Sequence, residues 1–206
     1  MLGLVIGDAA SGKSEYAESL AMKLSEKRIY LATMRNDGRE SAERIEKHRQ
    51  MRMNKGFATF ECPLKLKDSV DKKLLEQPDF FEGACVLLED IPNLTANEMF
   101  NQNFGGDPEE RPGGNSDPDQ KTNTDPVKKL DTDPARRLFE EIMYLSQKTA
   151  HMIIVTGNLF TGGCDHDTMT MDYLKSLAGL NNSLAAACDE VYEVVCGIPV
   201  TLKKRE

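Results

Sequence analysis

Apolar residues along the chain fall into short runs separated by amphipathic stretches. The runs at 2–6, 28–32, 84–88, 151–156 and 191–195 have strand length, whereas 13–26, 38–53, 65–76, 135–149 and 168–188 repeat their apolar positions at the helical period. Strands alternating with helices predict a parallel sheet wrapped by helices, because a parallel pair needs a long crossover and a helix is the usual one. Ligands on such sheets lie beyond the carboxyl ends of the strands. The positions to search are therefore 7–14, Thr33, Glu89 with Asp90, and Gly157 with Asn158.

The first of these positions carries recognisable chemistry. Residues 7–14 read Gly-Asp-Ala-Ala-Ser-Gly-Lys-Ser, a G-x-x-x-x-G-K-S phosphate loop placed directly after an apolar run and before a helical one. Gly7 and Gly12 let backbone N–H groups curl around phosphate oxygens, Lys13 brings a mobile cation to the terminal phosphates, and Ser14 offers a hydroxyl to Mg²⁺. Asp8, Ala9, Ala10 and Ser11 supply the remaining backbone of the cradle. The pattern and the motif together predict an α/β fold of the phosphate-loop (P-loop) NTPase, RecA-like type, with a mostly parallel sheet flanked by helices and a bound nucleoside triphosphate.

Composition narrows the class of ligand. With 206 residues and 39% hydrophobic content, the chain can bury one sizeable core, which predicts a single domain over 1–206. A net charge of −8 argues against a general nucleic-acid binder, so the nucleotide is expected to be a small molecule. No apolar run approaches the roughly 20 residues of a membrane span, and the first residues belong to the motif strand, so a cytoplasmic protein is expected. Cys62, Cys85, Cys164, Cys188 and Cys196 show no C-x-x-C spacing and are expected to be buried free thiols.

Between positions 101 and 133 the periodicity gives way to Gly, Pro, Asp, Asn and Thr, with Asp-Pro recurring at 107, 117, 125 and 133. So polar a segment has little apolar surface to offset its chain entropy, and a disordered loop is expected there.

Two further positions invite chemical roles. The run ending Val86-Leu87-Leu88-Glu89-Asp90 puts a carboxylate at a strand end, where phosphate-loop proteins orient Mg²⁺ or its water ligands; Glu89 is the preferred group and Asp90 the alternative. His48 lies in a basic helical stretch with Arg44, Lys47, Arg49 and Arg52. Taken alone that stretch reads as a solvated face, yet the cations could gather polyphosphate charge around an imidazole able to attack phosphorus.

At this point the chain resembles a known family, the bifunctional adenosylcobinamide kinase/adenosylcobinamide-phosphate guanylyltransferases of cobalamin biosynthesis. The resemblance is carried by G-D-A-A-S-G-K-S at 7–14, Y-L-A-T at 30–33, E-x-x-x-R-I-x-x-H-R-x-x-R from Glu40 to Arg52, and T-F-E at 59–61. It continues through L-L-E at 87–89 with Asn97, N-N-S-L-A-A-A-C-D-E-V at 181–191 and V-V-C-G-I-P-V at 194–200.

What the resemblance implies is specific. The loop would hold a triphosphate, with Mg²⁺ at Ser14 and Glu89, and pass its terminal phosphoryl group to the hydroxyl of adenosylcobinamide. The family histidine of R-I-x-x-H, which His48 matches, is guanylylated by GTP and hands the guanylyl group to adenosylcobinamide phosphate. Thr33, Arg49, Arg52 and Glu61 join the loop among the nucleotide-binding candidates, with His48, Lys13 and Glu89 as the catalytic ones. A homotrimer is implied as well.

Departures from the family pattern concentrate in the last third. Gly157-Asn158-Leu159-Phe160 stands where the family has N-E-V-G, Asp165 where a proline follows, and 173–179 where it has F-R-D-x-x-G-R; Pro92 and Ala96 replace threonines. They leave open a related kinase or nucleotidyltransferase with another small-molecule acceptor, or a nucleotide-binding paralogue without turnover.

Overall fold

The computed structural model describes residues 1–35, 38, 46, 49–50, 52, 54–100, 133–158 and 167–205. Its centre is one seven-stranded sheet built from β1 (Leu2–Gly7), β2 (Arg28–Ala32), β3 (Phe57–Glu61), β4 (Cys85–Glu89), β5 (His151–Gly157), β6 (Glu190–Val195) and β7 (Ile198–Lys204), in the spatial order β3-β2-β4-β5-β1-β6-β7. Every neighbouring pair is parallel except β6 with β7. Five of the seven are the strands expected from the apolar runs.

The two outer strands, β3 and β7, escape the apolar pattern because edge strands bury little. All of β7 is exposed, and its Pro199 is tolerated because an edge strand leaves one side of the backbone unpaired. Since β7 alone runs antiparallel, to β6, the sheet is mostly parallel, as expected. Its antiparallel course follows from a tight two-residue turn in which Cys196 and Gly197 both have positive φ, 50° and 79°, the geometry that joins adjacent strands without splaying them.

Helices α1 (Lys13–Leu24), α2 (Leu66–Glu76), α3 (Ile91–Phe100), α4 (Pro134–Ser146) and α5 (Thr168–Ala187) cover the sheet. Four match the helical periodicity, whereas α3, I-P-N-L-T-A-N-E-M-F, carries too little charge on one face to read as amphipathic. Most of the expected 38–53 helix lies outside the described residues; 46, 49, 50 and 52 are helical. Asp133 and Asp167 start α4 and α5 by accepting the Ala135 and Thr170 amides at 3.1 and 2.7 Å. The rest of the 101–133 segment lies outside the described residues.

Strand alternation sends successive side chains to opposite layers. Leu4, Val86, Leu88 and Ile154 face Leu138, Ile142 and Leu145 of α4 and Leu177, Leu180 and Leu184 of α5. Val5, Leu87, Ile153 and Val155 face Ala17 and Ala21 of α1, with Val194 of β6 closing that layer. The small alanines let α1 approach closely, and this helix carries the phosphate loop at its start. Cys62, Cys85 and Cys188 are buried free thiols as expected, but Cys196 is exposed in the β6–β7 turn, and Cys164 lies outside the described residues.

Candidate active site

The loop between β1 and α1 is shaped by its own backbone. Ser11 N donates to Asp8 O at 3.2 Å, Tyr16 N donates to Gly12 O at 3.1 Å, and Gly12 takes φ 90°, a left-handed value that suits glycine. Asp8, Ala9 and Ala10 are exposed, Gly7 is buried, and the Lys13 ammonium folds back on Asp8 O at 3.1 Å. Free N–H groups at the start of α1 and a cation beside them make an anion-binding end of the sheet.

Across β5 from the loop strand, β4 delivers Glu89. Ser14 Oγ donates to Glu89 Oε1, while Glu89 Oε2 is buried with no hydrogen-bond partner. Burial pushes the Glu89 carboxyl above its usual range, with Ser14's hydrogen bond opposing the rise. Asp90, the alternative carboxylate, accepts the Asn93 amide at 2.9 Å and so caps α3. Of the two acids, Glu89 is the one that meets the loop.

Thr33, at the end of β2, is fully buried; its hydroxyl donates to Asp90 O at 2.9 Å and accepts from Asp90 N at 2.7 Å. Asn97 of α3 donates to both Thr33 O and Pro63 O at 2.9 Å. The pair thus fixes the carboxyl end of β4, immediately behind Glu89. Asn181 of α5 does similar work at β5, accepting from Thr156 Oγ1 at 2.8 Å and reaching Gly157 O at 3.4 Å. Both asparagines fall in the blocks that carry the family resemblance, but residue chemistry alone gives them no role, because a side-chain amide bracing a distant backbone leaves no local signal.

The basic candidates separate. Arg49 pairs with Glu61 at 2.5 Å on the exposed end of β3, so these two expected residues do come together. Arg52 is buried, its guanidinium 3.4 Å from the centre of the Tyr30 ring, with Nε and Nη1 unpartnered. Its charge helps to hold the Glu89 carboxyl down, although burial outweighs it. Lys55 follows on the same segment and pairs with buried Glu18 of α1, one turn beyond Ser14. His48, Arg44 and Lys47 lie outside the described residues.

A phosphate loop at the start of α1, with an acidic strand end on β4 and one strand, β5, between it and the loop strand of the same mostly parallel sheet, defines a P-loop NTPase fold of the RecA-like arrangement. The chain belongs to the family described as cobinamide kinase / cobinamide phosphate guanyltransferase, whose model matches residues 3–202. It is 29% identical over 204 residues to the bifunctional adenosylcobalamin biosynthesis protein CobU of Escherichia coli K12, covering 98% of this chain and 100% of that protein. The protein of the same name from Salmonella typhimurium LT2 is also 29% identical, over 207 residues, with 98% and 100% covered. Among solved structures, the RadB recombinase aligns with a TM-score of 0.43 and 17% identity over 93% of this chain and 73% of that one. Membership makes the chain a transferase-type enzyme of cobalamin biosynthesis. Among the described residues no helix is long and apolar enough to cross a membrane.

Proposed function

We propose that this chain transfers the terminal phosphoryl group of ATP or GTP to the hydroxyl on the aminopropanol arm of adenosylcobinamide, and then guanylylates the product through His48. The observation that carries the first half is the meeting of Ser14 with Glu89 beside the loop, in a chain of this family. Lys13 swings from the Asp8 carbonyl to the terminal phosphates, and the loop amides take up the charge that develops on the migrating group.

The donor set fits Mg²⁺. Ser14 and Glu89 are hard oxygen donors, Glu89 Oε2 is buried without a partner, and magnesium takes few protein ligands while keeping waters and substrate phosphates. When bound there, the ion would neutralise charge on the phosphate oxygens. The role of this chain is to hold Glu89 in place through Thr33 and Asn97.

In the second half, a neutral His48 imidazole attacks the α-phosphorus of GTP and pyrophosphate leaves. The guanylyl group then passes to the phosphate oxygen of adenosylcobinamide phosphate, which frees the imidazole. Arg49, exposed and paired with Glu61, is a cation of the same segment that this reading assigns to the nucleotide phosphates.

A second reading, transfer to a different small alcohol, rests on the stretch at 173–179 that departs from the family pattern. Tyr173, within the stretch that departs from the family pattern, packs at 6.0 Å from Phe100 and donates to Pro92 O at 3.2 Å, so it fastens α5 to α3. Incubation with α-labelled GTP tests the main reading. Acid-labile, base-stable label is expected on the wild type and absent from His48→Ala, with phosphorylation of adenosylcobinamide surviving in the variant. Absence of label on a wild-type protein that binds GTP would refute the histidine carrier.

A further inference from the structure

The β6–β7 hairpin reaches the phosphate loop from the side opposite β5. Gly197 N donates to Ser11 O at 2.8 Å. The two backbones are so close that a Cβ on Gly12 would stand 3.1 Å from Gly197 Cα, and one on Gly7 would stand 2.9 Å from Val194 O. A Cβ on either loop glycine would therefore crowd this hairpin, although on Gly7 it would first meet Ser11 Oγ. Val194 anchors it, being 1% exposed in the layer with Val5, Ala17 and Ala21.

The hydrogen bond has a geometric consequence. In a trans peptide the C=O and the following N–H point in opposite directions. Pinning the Ser11 carbonyl onto Gly197 therefore turns the Gly12 N–H the other way, away from the hairpin.

We propose that the Cys196–Gly197 turn is a positioning element of the phosphate loop, with Gly197 as the positioning residue that aims the Gly12 amide at the triphosphate. The inference rests on the triphosphate reading above. It needs the left-handed backbone at Gly197, φ 79°, and it does not need the absence of a side chain, because a Cβ there meets nothing within 4 Å. Asparagine, which tolerates that backbone, should replace glycine; valine, which does not, should turn the N–H away from Ser11.

Full-length wild type, Gly197→Asn and Gly197→Val are compared by calorimetric titration with two probes, magnesium GTP and magnesium tripolyphosphate. The expected result is that Gly197→Val weakens both probes about tenfold or more, the size of a lost hydrogen bond to charge, while Gly197→Asn stays within about threefold of wild type. Should the valine variant fail to fold, Gly197→Ala is read in its place.

Wild-type affinity in the valine or alanine variant, or equal weakening in the asparagine variant, would overturn the inference. A loss confined to GTP would overturn it too, since the turn would then be touching the base. A wild type that binds neither probe defeats the triphosphate reading itself, whereas one that binds both, with indifferent variants, defeats only the role of the turn.

Discussion

Ser14 and Glu89 stand 75 positions apart in the chain, and the hydroxyl of one donates to the carboxylate of the other. The first follows the loop lysine on α1 and the second ends β4, with β5 between their strands in the sheet. Glu89 is buried and retains one unpartnered oxygen, so a triphosphate held on the loop would lie beside it.

Lys13→Ala should lower phosphoryl transfer by about two to three orders of magnitude, the usual cost of removing a charge-stabilising group from such a site. The lysine's only described hydrogen bond is exposed, so the thermal midpoint should stay close to wild type. Steady-state kinetics and a melting curve check both halves. Unchanged turnover would remove the loop from the mechanism.

Glu89→Gln keeps the shape of the side chain and an acceptor for Ser14 while removing the charge. Magnesium-dependent turnover should fall about a hundredfold or more. Stability should hold or rise, because burial already works against the ionised form of Glu89 and one of its oxygens lacks a partner. Turnover measured across a magnesium titration, together with urea unfolding, decides. A destabilised but fully active variant would contradict both expectations.

Thr33→Val removes the hydroxyl that bonds both backbone groups of Asp90 at almost constant volume. Losing the hydroxyl's bond to Asp90 N, while Asp90 O keeps the Leu94 amide at 3.2 Å, should cost about 1–3 kcal/mol of stability. Because Asp90 follows Glu89 directly, kcat should fall while KM for the triphosphate changes little. Equal effects on both constants would show that Thr33 contributes to binding rather than to the placement of Glu89.

The Leu2 amide, which donates to Asp189 at 2.9 Å, and then Arg205 hold the Asp189 carboxyl below its usual range. Folding therefore favours the ionised form, whose contribution is complete above the unfolded value and is lost as pH falls through the lowered folded value. Asp189→Asn should therefore lose stability at neutral pH, where that contribution is complete, and converge on the wild type below about pH 4, flattening the acid side of the profile. Urea melts across that range measure the slope, and identical slopes would show that the Leu2–Asp189 bond carries no linkage.

Much of the architecture is legible in the chain because its signals are local. Five strands announce themselves as buried apolar runs, four helices as amphipathic periods, and the loop as a motif whose glycines, lysine and serine each have a chemical reason. The outer strands β3 and β7 and helix α3 are less legible, since edge position and weak amphipathicity leave the alternation faint.

What the sequence determined by itself is the set of candidate groups: the phosphate loop, Lys13 and Ser14, and an acid at a strand end. Only the tertiary structure decided between the adjacent acids, giving Asp90 to the cap of α3 and Glu89 to Ser14, and only it buried Arg52 against Tyr30 while leaving Arg49 exposed with Glu61. Periodicity tells which face of an element is apolar, but partners tens of residues apart are set by strand order and register. In this chain that order sets the β6–β7 turn against Ser11 and Glu89 against Ser14.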